Sequence, residues 1–294
     1  MQYLPACPIC DAQDLKPYLL CKDHTVSHET FALEQCKQCG FVLTNPRPAE
    51  KDLTRYYQSE AYISHSNRSA NAIEHIYKVS RRFTLKWKYG LLQTHSVIEP
   101  ATILDFGCGT GAFLNECKKN NMKISGVEPS TIAREIAIKN TKATVWERAS
   151  EIKDNYDVIT LWHVLEHVPD LHETLHKLKN HLNQNGTMFI AVPNLKSPDA
   201  KKYLAYWAGY DVPRHLWHFS KDTMKRALER HRLNLVTTIP MPLDSYYVSL
   251  LSEKYKNGKN GVLNMAKAVL QGWQSNQQAT KTSEYSSLIY IVRK

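Results

Sequence analysis

The chain has 294 residues, 43% of them hydrophobic and 22% charged, with a formal net charge of +10. Those proportions describe a folded globular chain and exclude a disordered one. No stretch approaches the ~18 apolar residues of a membrane span, and the opening MQYLPACPIC lacks the basic-then-apolar pattern of a secretory signal. The length suits one large domain with accessories. Seven cysteines, four of them in two C-x-x-C pairs, fit a reducing compartment, so the cytoplasm is the expected location. A positive balance suits a nucleic acid, an anionic membrane surface or an acidic substrate. Here the lysines and arginines are spread along the chain, as on an ordinary solvated surface.

The first element is a cysteine framework. Cys7-Pro8-Ile9-Cys10 and Cys36-Lys37-Gln38-Cys39 are tight turns that each aim two thiolates at one point. Four thiolates complete the closed tetrahedral shell of a structural zinc site. Residues 1–45 are read as that module, with Cys21 and His24 as bystanders. Asn45-Pro46-Arg47-Pro48 ends it as extended chain. A linker and cap over 46–100 is expected to hold a short helix near Ala49–Tyr57, a loop over 58–69 and a long helix from about Ala70 to Gln93. Tyr56, Tyr57 and Tyr62 fall in this linker.

Thr102-Ile103-Leu104-Asp105-Phe106 then runs into Gly107-Cys108-Gly109-Thr110-Gly111. A strand that turns into a helix through glycines lets a ligand touch bare backbone at the carboxyl edge of a parallel sheet. A second strand ends in an acid at Glu128, which can bind a ribose diol. The spacing Gly107-x-Gly109-x-x-Ala112 also fits a loose dinucleotide fingerprint. Further strands are expected at Ala143–Trp146, 157–161, Thr187–Val192 (after an Asn185-Gly186 turn), Leu233–Ile239 and 286–292. Helices are expected over 130–140, 170–182 and 221–231, with Ser220 capping the last. A core over 101–240, an insertion over 241–283 and a final strand over 284–294 complete the division. Met265–Trp273 in the insertion is amphipathic with basic residues, and reads as a lid, a dimer face or a surface-binding helix.

Together with Asp105, Gly111 and Glu128, the stretch Tyr156-Asp157-Val158-Ile159…Leu165-Glu166-His167-Val168 resembles the class I S-adenosylmethionine methyltransferases across residues 101–240. The resemblance implies an α/β, Rossmann-like fold: a seven-stranded, mostly parallel sheet with helices on both faces, plus the small zinc-ribbon-like module. It implies that S-adenosylmethionine meets Asp105, Gly107, Gly109, Gly111 and Glu128, with Glu147 toward the adenine and His163 beside the cofactor. The implied reaction is O- or C-methylation of a small-molecule acceptor. Two other functions stay open: an RNA methyltransferase using the zinc module and basic surface, and a non-catalytic cofactor-binding protein.

Methyl transfer from a sulfonium chiefly needs orientation and exclusion of water, with a base where the acceptor is a hydroxyl. His167, His215 and His163 are the candidate bases, with His218 nearby. Arg214, His215, Trp207 and Tyr210 are the candidate acceptor-binding residues. His163-x-x-Glu166-His167 also resembles the Glu-x-x-Glu-His metal turn of some quinone-biosynthesis and small-RNA methyltransferases. His163 stands where those have the first glutamate. That makes His163, Glu166 and His167 a candidate second metal site.

Overall fold

The computed structural model describes residues 1–57, 72–96, 101–258 and 262–294. The expected loop over 58–69, Tyr62 and the start of the long helix at Ala70 lie outside them. Two sheets form the scaffold. The larger has seven strands in the order β10-β11-β8-β7-β4-β5-β6, where β4 is Thr102–Phe106, β5 Lys123–Val127, β6 Thr144–Trp146, β7 Tyr156–Trp162, β8 Leu182–Pro193, β10 Asn234–Pro240 and β11 Ser287–Arg293. β8, β7, β4, β5 and β6 run parallel, while β11 pairs antiparallel with both β8 and β10. Ile103, Val158, Ile159, Phe189 and Ile190 are fully buried, as expected of parallel strands covered on both faces.

Helices connect these strands. α2 (Ala72–His95) precedes β4, and α3 (Ala112–Lys119), α4 (Thr131–Thr141) and α5 (Leu171–His181) join β4 to β5, β5 to β6 and β7 to β8. α1 is a single turn at Glu50–Leu53, extended by a 3-10 turn to Tyr57. Ser130, Asp170, Ser197 and Ser220 cap α4, α5, α6 (Pro198–Tyr203) and α7 (Lys221–Arg230) through side-chain oxygens, each satisfying an otherwise orphaned N–H. Asn185 and Gly186 do not form a separate turn: β8 runs through them, and the pairing with β7 shifts register there instead.

The smaller sheet is antiparallel: β1 (Leu15–Lys22), β2 (Thr30–Cys36), β3 (Val42–Thr44) and β9 (Trp217–His218). Its fourth strand thus comes from the far side of the chain. Phe41, Leu43, Cys7 and Cys36 share one apolar cluster with Leu161, Leu216 and Met224. Arg230 on α7 bonds to Asp11 at 2.6 Å, and His172 on α5 reaches the Pro8 carbonyl at 2.5 Å. The cysteine module is therefore seated on the large sheet's helices.

Strand order decides where ligands bind. From β4 the chain moves outward to β5 and β6, then returns to β7 on the other side of β4. That reversal leaves a crevice at the carboxyl ends of β4 and its neighbours. Asp105 pairs in register with Gly126 and Thr160, so the ends of β4, β5 and β7 lie at one edge.

Candidate active site

The glycine loop is built as its sequence demands. Gly107, Gly109 and Gly111 have φ of +77°, +53° and +76°, the left-handed region that side chains disfavour. A Cβ at Gly107 would lie 2.4 Å from Val164, and one at Gly111 would press on Thr141 and Ala137. Among the described residues, nothing lies within 4 Å of a Cβ placed on Gly109, so this backbone is open to a ligand. Glu128 Oε2 accepts from the Gly109 N–H at 2.9 Å, and Oε1 from the Ser130 N–H at 2.9 Å. Glu147 stands at the end of β6, its carboxylate paired with Arg134 at 3.1 Å and with Arg148 at 3.4 Å.

Asp105 is buried and accepts a 2.6 Å hydrogen bond from Thr160. Burial raises its pKa to about 7, against the Thr160 hydroxyl and the Lys88 ammonium. Lys88, on α2, lies 4.3 Å over the Trp162 ring. Its own pKa is lowered by burial, which outweighs Asp244 and Asp105. These groups fit S-adenosylmethionine: a backbone open to a ligand, a carboxylate beside it that can meet ribose hydroxyls, and a buried carboxyl that gains from a nearby cation.

Four sulfurs come together as their spacing predicts. Cys7 and Cys39 stand 3.5 Å apart, as do Cys10 and Cys36, and all four lie within 4.8 Å of one another. Those separations suit a tetrahedral ion with ~2.3 Å metal–sulfur bonds. Cys21 sits apart in another apolar cluster, and His24 stacks on Tyr255.

The turn after β7 differs from the sequence expectation. His163, at φ +57°, is held between two carboxylates: Nδ1 is 3.3 Å from Glu166 and Nε2 is 3.1 Å from Asp244. Burial alone would lower its pKa, but Asp244 and then Glu166 raise it to about 9. An imidazolium with both nitrogens engaged neither accepts a proton at neutral pH nor ligates a metal. Both ring nitrogens of His163 thus face carboxylates, and the set whose ligand atoms meet within 4.8 Å is Glu166, His167 and His215. Asp244 opens α8 (Asp244–Asn257), the first helix of the insertion.

His215 takes the vacated place in that set. Glu166, His167 and His215 bring one ligand atom each within 4.8 Å, and the two rings are 4.5 Å apart, edge to face. His167 Nδ1 lies 3.1 Å from the Arg214 carbonyl, an acceptor only, so Nδ1 carries the proton. The Tyr57 hydroxyl stands 3.1 Å from the same nitrogen. Burial, helped by His215, lowers the His167 pKa to about 4, so the ring is neutral with its Nε2 lone pair intact. His215 Nδ1 is likewise fixed by the Gly209 carbonyl at 2.9 Å. Glu166 is fully buried, and among the described residues neither of its carboxylate oxygens has a well-aligned hydrogen-bond donor beyond the 3.3 Å ion pair of Oε1 with His163. Burial would raise its pKa, but His163 and its neighbouring histidines hold it down, so it is an anion.

The remaining candidates are structural. Arg214 is 3% exposed, and its guanidinium donates to Asp211 at 2.9 and 2.7 Å, to Asp23 at 3.0 Å, to Thr25 at 2.5 Å and to the Tyr56 carbonyl at 2.9 Å. A side chain so committed does not clamp an acceptor. Trp207 is buried and donates to Asp199 at 2.8 Å, while Tyr210 packs in the same apolar cluster. His218 is buried against Thr44, its pKa far below the usual range through burial, then His215.

The family model described as a methyltransferase domain matches residues 73–238. The chain belongs to the methyltransferase domain family. Among curated proteins, this methyltransferase is 28% identical over 171 residues to the ubiquinone biosynthesis O-methyltransferase of Aeromonas salmonicida (strain A449), spanning 54% of this chain and 71% of that one. The enzyme of the same name from Vibrio parahaemolyticus is 25% identical over 173 residues, 54% of this chain and 72% of its own. Among solved structures, magnesium protoporphyrin IX methyltransferase from Synechocystis PCC 6803 with bound SAH superposes with a TM-score of 0.55. That match has 12% identity and covers 83% of this chain and all of the other, which establishes the shared fold.

Sequence reasoning missed Asp244 as the partner of His163 and Asp23 as the partner of Arg214. Neither acid lies near its partner in the chain, so no local signal marked them.

Proposed function

We propose that this methyltransferase transfers a methyl group to an oxygen of a small-molecule acceptor, and that Glu166, His167 and His215 bind a divalent cation beside the acceptor. S-adenosylmethionine supplies the methyl group, carried on a sulfonium. Gly107, Gly109 and Gly111 pass it along bare backbone, and Glu128 and Asp105 take its hydroxyl and cationic parts. The two relatives described above, both named ubiquinone biosynthesis O-methyltransferase, support a small hydroxylated acceptor. Zinc at Cys7, Cys10, Cys36 and Cys39 holds the smaller sheet in place.

The observation that carries the second part is Glu166, a buried carboxylate anion without a well-aligned donor, next to two imidazoles with fixed Nδ1 protons. His163, 3.3 Å from Glu166 Oε1, offsets part of the cost of burying this anion, and a cation shared with His167 and His215 would offset the rest. Two nitrogens and one oxygen favour zinc, iron or nickel over magnesium. The cation would lower the pKa of an acceptor hydroxyl bound to it. Alternatively, His167 Nε2 takes the acceptor proton directly, as a neutral imidazole can.

Metal analysis of the full chain separates these two uses of the site. Beyond zinc at the four cysteines, about one further transition-metal ion is expected, lost in His215→Ala and in Glu166→Gln. A His215→Ala protein with unaltered metal content would assign His167 to proton transfer alone.

A further inference from the structure

The helix pair inserted between β10 and β11 carries its large apolar side chains outward. α8 is followed by α9 (Val262–Thr282). The inner face of α9 is made of small and polar groups: Ala268, Ser275 and Ala279 are fully buried. A Cβ on Gly272 would come within 2.9 Å of Tyr246 Cα, so α8 and α9 are in close approach. Ser275 donates to Asp199 at 2.7 Å, and Asn276 to the Pro242 carbonyl at 2.9 Å. The outer face shows Leu263, Met265, Val269, Leu270 and Trp273, each 48–77% exposed. The helix is therefore amphipathic the wrong way round for packing on its own protein. Patches of this kind mark a surface that something else covers.

Charge identifies the cover. The segment 241–283 holds five lysines and two acids. Asp244 is turned inward to His163, and Glu253 accepts from Tyr203 and Asn257. Lys254, Lys256 and Lys267 are exposed, and Lys267 lies one turn from both Leu263 and Leu270. A second copy meeting this face would set lysines against lysines. An anionic lipid surface meets both features at once, taking Leu, Val and Met side chains into its acyl boundary, Trp273 at the headgroup level and the ammonium groups onto phosphate.

We infer that the outer face of α9 docks the protein on an anionic membrane surface, lying in the interface and not crossing it. The inference stands apart from the acceptor and metal assignments above, because none of these side chains belongs to the cofactor crevice.

The test is flotation of the full chain with vesicles of phosphatidylcholine containing about one-third phosphatidylglycerol, against phosphatidylcholine alone. Binding is expected on the anionic vesicles, weakened by salt. The double variant Leu270→Ser/Trp273→Ser should lose it roughly tenfold or more. Lys267→Glu should weaken binding to the anionic vesicles alone. Unchanged affinity of each variant for S-adenosylmethionine shows that the fold is intact. No binding by the parent protein, or equal binding by the double variant, would overturn the inference. So would a dimer in sedimentation that the double variant dissolves, because that assigns the face to a second copy.

Discussion

Replacing Arg214 with methionine separates a structural arginine from an acceptor clamp. The change keeps most of the aliphatic volume and removes the charge between Asp23 and Asp211, whose side chains are 0% and 26% exposed. Breaking a buried ion pair from one side costs about 3–5 kcal/mol, because the surviving charge stays desolvated. Asp211 can recover some water. Asp23 keeps its bonds from the Thr25, Val26 and Ser27 N–H groups and from two hydroxyls. Those bonds place the cost near the lower end, about 3 kcal/mol, with about 1 kcal/mol more for the lost bond to the Tyr56 carbonyl. For a chain of this size, the melting midpoint should fall by on the order of 10 °C. Thermal unfolding followed by circular dichroism measures the shift, and calorimetry below the midpoint should find the affinity for S-adenosylmethionine unchanged. An Arg214→Met protein that melts with the parent and loses only acceptor affinity would refute this role.

Other outcomes follow from the same structure. Chelation or Cys36→Ser should release about one zinc per chain and loosen the smaller sheet, seen as lost amide protection in β1–β3; full protection without metal would remove the four-sulfur site. Gly109→Arg should abolish cofactor binding by filling the open space above the loop, with little cost in stability beyond the strained φ, whereas Gly107→Ala should destabilise the fold against Val164. Acid should destabilise the protein through Asp23 and Asp157. Burial raises both pKa values, but Arg214 and local N–H donors on Asp23, and Thr102 and Asn183 on Asp157, leave both lowered. Their contribution is complete above the unfolded pKa of about 3.9 and is lost as pH falls through the folded values. Denaturation midpoints taken from about pH 6 down to 3 should therefore decline at the acid end, and less so in Asp157→Asn.

What the sequence revealed was local. The strand, the three glycines and the following helix are neighbours in the chain, and each glycine meets its steric demand within a few residues or at the adjoining strand. The cysteines declare themselves by spacing, since a C-x-x-C turn fixes two thiolates by its own geometry. The turn after β7 shows the limit. Glu166 and His167 were legible as a pair, but the third member depended on how the loop from Asp211 to His218 returns across the cleft. His163 fills the third place in the sequence pattern, yet Asp244, 81 residues later, converts it into a fixed cation. Arg214 shows the same effect. Asp211 lies only three residues back in the chain, but Asp23, Thr25 and the Tyr56 carbonyl reach Arg214 from far away in the sequence. A guanidinium that looked free to bind substrate was already spent on contacts across 158–191 residues of chain.

Methyl-labelled S-adenosylmethionine, incubated with the protein and a source-cell extract, tests the central claim most directly. Label counted separately in small-molecule, lipid and RNA fractions should appear in the organic-soluble or small-molecule fraction, and should vanish with Gly109→Arg. Label in RNA, or no label in any fraction from a protein that binds the cofactor, would contradict small-molecule methylation.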